Sequence, residues 1–158
     1  MNKKRFFAVA LLLSTAQAAS PASPAPRAPS LPAGQSNPII LGAAFNLTGA
    51  LSSLDAPASR GAALAVREVN SLGGVLGRPL KLVTVDTATD LSKVPAAAKT
   101  LIQAGASALL GYTDTDPVLA FSPLSEAAGL PFVVVGGTAP RLGSVGQRTF
   151  LEPFADNT

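Results

Sequence analysis

The chain has 158 residues, with no cysteine and no histidine. Disulfides, thiolate metal sites and histidine-based acid–base or metal chemistry are therefore excluded. The formal charge of +3 comes from Lys3, Lys4 and Arg5; the other nine basic residues balance nine acidic ones. The basic footprint of a nucleic-acid binder is missing.

Lys3-Lys4-Arg5 is followed by an unbroken apolar run, Phe6 to Leu13, and then by Ser14-Thr15-Ala16-Gln17-Ala18. A basic start, a short apolar stretch and small residues together read as a secretory signal peptide, residues 1–18, cut after Ala18. The run is shorter than the roughly 20 residues that a membrane span needs. With no cysteine after it, a lipid anchor at that point is excluded. The expected location is the periplasm or the medium. Residues 19–38, ASPASPAPRAPSLPAGQSNP, are dominated by proline, alanine and serine. Such a composition predicts a disordered, extended spacer. A proline-rich ligand for a partner is the alternative, but the basic context of such ligands is absent.

From residue 39 the pattern changes. Ile39 to Phe45 is a short apolar strand, bounded by Pro38 and Asn46. A loop follows, and then a helix that begins at Asp55 or nearby, with Pro57 in its first turn. Ala62, Ala63, Val66 and Val69 mark its apolar face, and Gly73-Gly74 ends it. Gly61 is expected to let this helix lie close to the sheet. Leu80 to Asp86 reads as a second strand. Asp90 or Ser92 caps a second helix that runs to about Gln103. Ser107 to Leu110 is the third strand, and Asp116-Pro117 opens a third helix that stops at Gly129. Pro131 to Val135 is the fourth strand. Gly136-Gly137-Thr138 leads to a short helix, and Thr149 to Leu151 is a fifth strand.

Strands alternate with helices, connections are short, and each strand reads as continuously apolar. This predicts an α/β fold: a doubly wound parallel sheet covered on both faces. Ligands of such sheets bind beyond the carboxyl ends of the strands. The decisive loops are then 46–54, 87–90, 111–116 and 136–140.

The segment NSLGGVLGRPLKLVTVDTATD, residues 70–90, closely resembles the stretch after the first helix of type I periplasmic binding proteins of the leucine/isoleucine/valine-binding class. FNLTGALSSLDAPASRGAALAVREVN upstream resembles that family's first strand, turn and helix. AAAKTLIQAGASALLGYTDTD and EAAGLPFVVVGGTAPRL resemble its second helix with third strand and its fourth strand with ligand loop. The resemblance covers about residues 39–154. It implies a solute receptor for an inner-membrane ABC permease, with residues 39–158 as its N-terminal lobe. Family members place an amino-acid carboxylate on hydroxyl and backbone N–H groups of the third and fourth loops. Carried over, the ligand-binding positions are Thr113, Asp114, Thr115, Gly137 and Thr138, with Ser53 and Leu54 near the first loop's contribution. Asp116 is expected to be a helix N-cap. Asp114 either pairs with a ligand ammonium or amide, or points to solvent.

The resemblance implies no metal, no cofactor and no catalytic residue. The chain ends about where a crossover to a second lobe would begin, so one lobe alone is expected, with weak or no binding by itself. The alternatives are an extracytoplasmic sensor of the same fold and a truncated remnant. A nucleotide-binding enzyme would need G-x-G-x-x-G after the first strand; only Gly49 stands there.

Overall fold

The computed structural model describes residues 37–151. Five strands, β1 Ile39–Phe45, β2 Leu80–Asp86, β3 Ala108–Gly111, β4 Phe132–Val134 and β5 Thr149–Leu151, form one sheet in the order β2-β1-β3-β4-β5. Every neighbouring pair is parallel. The helices are α1 Ser52–Ser71, α2 Val94–Gln103 and α3 Thr115–Ala127. Short 3-10 segments at Leu91–Lys93 and Pro140–Ser144 precede α2 and β5.

The sheet's two faces differ. The core lies under α2 and α3. Leu109, Phe132 and Val134 meet Val94, Leu101, Val118 and Phe121 there, all essentially inaccessible to water. Phe121 packs against both Tyr112 and Phe132, with ring centroids 5.6 and 4.8 Å apart, the tilted geometry aromatic pairs favour. Gly42 makes this layer possible, because a Cβ there would stand 2.8 Å from Leu109 and 3.1 Å from Leu101.

α1 lies on the opposite face, and its only fully buried residue is Asp55. Its apolar stripe, Ala62, Val66 and Val69, borders a cavity of about 300 Å³ over Leu41, Leu82 and Ala108. Here the sequence expectation of two covered faces fails in part. Leu110, Val133 and Phe150 share one row by register, yet Val133 is 41% and Phe150 54% exposed. Among the described residues, α1 spans only the β1–β2 half of this face, so the β4–β5 half stays open.

Other expectations shift in detail. α1 starts at Ser52, one turn before Asp55, so Pro57 falls inside the helix. Gly61 has open space where its Cβ would be. The close approach is made by Gly42, on a strand. Gly73 and Gly74 take φ +100° and +76° at the helix exit, as expected of a glycine pair. α3 begins at Thr115, and its N-cap position is Asp114, not Asp116. Residues 1–18, the expected signal peptide, and nearly all of the expected spacer lie outside the described residues.

Candidate functional site

Because all five strands run the same way, their C-terminal ends share one edge of the sheet. The loops after β1, β2, β3 and β4 meet there, and carboxylates stitch them together. Asp55, on the first turns of α1, is fully buried. Its Oδ2 accepts from the Asn46 backbone N–H at 2.7 Å, and its Oδ1 accepts from the Thr113 N–H at 2.9 Å and from the Thr113 hydroxyl. One side chain thus joins the loops after β1 and β3 to the start of α1. Among the described residues it has no ion-pair partner.

Asp86, at the end of β2, performs the same task on the other side. It accepts from the N–H groups of Leu47, Thr48 and Ala88, and from the Thr48 hydroxyl at 2.6 Å. Burial pushes its carboxyl up, but these hydrogen bonds outweigh that and hold it below the ordinary carboxylate value. Asp90 caps the 3-10 segment before α2 through the Ser92 N–H at 2.9 Å. Its carboxyl is also held low, first by the Ser92 hydroxyl and then by that N–H.

The turns are tight. Ala88, Thr89 and Tyr112 have φ between +54° and +61° without being glycine. Backbone held in this region collects at binding and active sites, where the surroundings over-determine it. Thr89 earns its conformation through hydrogen bonds: its N–H donates to Asn46 Oδ1 at 3.0 Å, and its hydroxyl accepts from the Leu51 N–H. Tyr112 tucks into the core. Burial pushes its hydroxyl up to about 12, with the Thr87 hydroxyl pulling the other way and Asp55 adding to the rise. The hydroxyl lies near Thr87, but among the described residues no group meets it with hydrogen-bond geometry.

The sequence-derived positions fall as follows. Thr113, Asp114 and Thr115 form the loop after β3 and the first residue of α3. Both donors of Thr113 are engaged by Asp55. Thr115 and Asp116 present the open N–H groups of a helix start. Gly137 is buried and Thr138 is exposed in the loop after β4. A Cβ on Gly136 would stand 3.2 Å from Thr113 Cγ2, so the third and fourth loops touch. Ser53 and Leu54 lie on the first turn of α1, both exposed. Asp116 forms an exposed ion pair with Arg141 at 2.9 Å. Sequence reasoning missed Asn46, Thr87 and the linking role of Asp55; the only signal for the last was an acidic residue near a helix start.

A cavity of about 170 Å³ opens between the loops after β1, β2 and β3, with Asn46, Thr89, Asp90 and Asp114 in its wall. Among the described residues there is no grouping of three or more metal-ligating side chains. No described helix is long and apolar enough to cross a membrane.

Fold and edge together define a doubly wound parallel α/β fold whose connecting loops gather beyond the C-terminal ends of its strands. The chain belongs to the periplasmic binding protein family, whose model matches residues 38–152. It is 33% identical over 119 residues to the Leu/Ile/Val-binding protein homolog 8 of Brucella abortus (strain 2308), covering 73% of this chain and 29% of that protein. Two solved structures are also similar. One is the branched-chain amino acid transporter substrate binding protein LivJ of Streptococcus pneumoniae, in complex with isoleucine. Its TM-score is 0.70 at 25% identity, over 73% of this chain and 33% of that one. The other is an ABC transporter substrate-binding protein of Desulfitobacterium hafniense in complex with Leu. Its TM-score is 0.63 at 31% identity, over 73% and 34%. The chain thus spans about a third of the length of its relatives.

Proposed function

We propose that this chain is the first lobe of an extracytoplasmic solute-binding component of an ABC transporter. It takes a branched-chain or related small amino acid or amide for delivery to an inner-membrane permease. Residues 1–18 are its export signal, residues 19–38 a spacer and residues 39–158 the lobe. The chain performs binding, not catalysis. The observation that carries this reading is the junction of the third and fourth loops. Thr113 is anchored by Asp55 and approaches Gly136, which supports a reading in which the loop before α3 and the loop carrying Gly137 and Thr138 act together. Open N–H groups at a helix start favour a carboxylate, and the family resemblance assigns Thr138 to the same carboxylate. Ser53 and Leu54, exposed on the first turn of α1, complete the proposed ligand set. The similarity to proteins solved with isoleucine and leucine supports the ligand class.

The test exchanges residues 38–152 into the matching segment of the Desulfitobacterium hafniense protein. Titration calorimetry then follows with leucine, isoleucine, valine and their amides. Saturable binding of at least one of them is expected. A folded chimera that gives no heat with any of them, beside a binding parent, overturns the reading.

A further inference from the structure

The cavity between the loops after β1, β2 and β3 combines features that the wall described above does not use. Its apolar lining is Leu51, Leu91, Val94 and Pro117, and its polar lining includes Asp90, Asp114 and Asp116 with no basic residue. Two of those carboxylates are engaged. Asp90 holds Ser92 through both its N–H and its hydroxyl. Asp116 is paired with Arg141. Asp114 is different. It occupies the N-cap position of α3 with extended backbone, φ −108° and ψ 153°, yet its side chain makes no capping hydrogen bond. An aspartate at that position ordinarily accepts from the helix N–H groups. Here the carboxylate is left over, half-buried, in a cavity wall.

A second observation is independent of the acidic residues. Asn46 lines the same cavity and is 2% exposed. Its Oδ1 accepts from the Thr87 hydroxyl at 2.9 Å and the Thr89 N–H at 3.0 Å, which fixes the amide's orientation. Its Nδ2 has no hydrogen-bond partner among the described residues. Buried donors are almost always paired, so this one calls for an acceptor.

We propose that this cavity receives the ammonium end of a small aliphatic solute, with Asp114 as counter-charge and Asn46 Nδ2 donating to an oxygen of the same molecule. A bare anion is disfavoured by three carboxylates, and a bare metal ion by the amide donor. A molecule carrying an ammonium, an acceptor oxygen and a short apolar body meets every group. This inference rests on the solute-binding reading and deepens it, making Asp114 the residue that selects amino acids over simple acids of the same shape.

The test uses the full chain, ¹⁵N-labelled, titrated in NMR with L-leucine, 3-methylbutylamine and 4-methylpentanoate. Leucine and the amine are expected to shift the Asp114 and Thr115 backbone amides and the Asn46 side-chain amide, while the acid leaves them in place. Asp114→Asn is expected to weaken the amine by about tenfold, the scale of a charge-assisted pair, with the rest of the spectrum superimposable. If Asp114→Asn does not fold, the three probes on the unaltered chain still decide. The acid shifting these signals as strongly as the amine overturns the inference, as does an unaffected amine in folded Asp114→Asn. Leucine shifts confined to Gly137 and Thr138 would remove this inference and keep the solute-binding reading. No shift at this edge with any probe at millimolar concentration would remove this inference, and calorimetry of the chimera decides the solute-binding reading separately.

Discussion

Replacing Asp55 by alanine strips an acceptor from three donors in one step. The backbone N–H groups of Asn46 and Thr113 lose their partner, as does the Thr113 hydroxyl. The hydroxyl can turn elsewhere; the two N–H groups are fixed by their strands. Each buried donor left unpaired costs about 1–3 kcal/mol. Removing the buried carboxylate returns part of this, because its own desolvation is relieved. A net loss of about 2–4 kcal/mol follows, a large share of the roughly 5–15 kcal/mol that holds a domain folded. The isosteric change Asp55→Asn is the sharper probe. Oδ2 serves Asn46 and Oδ1 serves Thr113, but an amide has one oxygen only, and its NH2 would face an N–H. Asp55→Asn is therefore expected to lose most of what Asp55→Ala loses. Urea unfolding followed by far-UV circular dichroism reads both, with the slope unchanged and the midpoint lowered. An Asp55→Asn protein within about 0.5 kcal/mol of the unaltered chain, the ordinary range of a surface change, would refute the clamp.

Gly42→Ala is expected to destabilise by about 1–3 kcal/mol, as overpacking does, because its Cβ would collide with Leu109 and crowd Leu101. Gly61→Ala, with open space at its Cβ, is expected to stabilise by up to about 1 kcal/mol through helix propensity; thermal melts of the pair check both signs. The Tyr112 hydroxyl, which burial pushes from its ordinary 10.0 up to about 12, contributes stability that is fully present below pH 10 and is lost as pH rises through about 12. Tyr112→Phe is expected to flatten that alkaline loss in urea midpoints measured across this range. In the lobe-exchange chimera, Thr138→Ala is expected to weaken ligand binding by about 1–3 kcal/mol; unchanged calorimetric affinity would remove Thr138 from the site.

Much of the architecture was legible because it rests on local signals. β1, β2 and β5 fall where the apolar runs lie, since a short run between breakers has few other homes. Asp90 caps as its position implies. What was hidden depends on partners far along the chain. Asp55 bonds to residues 9 and 58 positions away, so from sequence it looked like a helix start and nothing more. Gly61 and Gly42 exchanged roles because helix-to-sheet distance is a tertiary quantity. Asp114 and Asp116 exchanged places because α3 starts a residue before the Asp-Pro pair, leaving Asp116 free to reach Arg141. The edge carrying the candidate site was foreseeable from parallel topology alone. Its clamps and the unpaired Asn46 amide were not.

The most direct test is a crystal structure of the lobe-exchange chimera grown with isoleucine. The account predicts the ligand against the loops after β3 and β4, within hydrogen-bond distance of Thr115 and Thr138. Isoleucine seated instead in the apolar groove under α1, or held by the second lobe with these loops untouched, would contradict it.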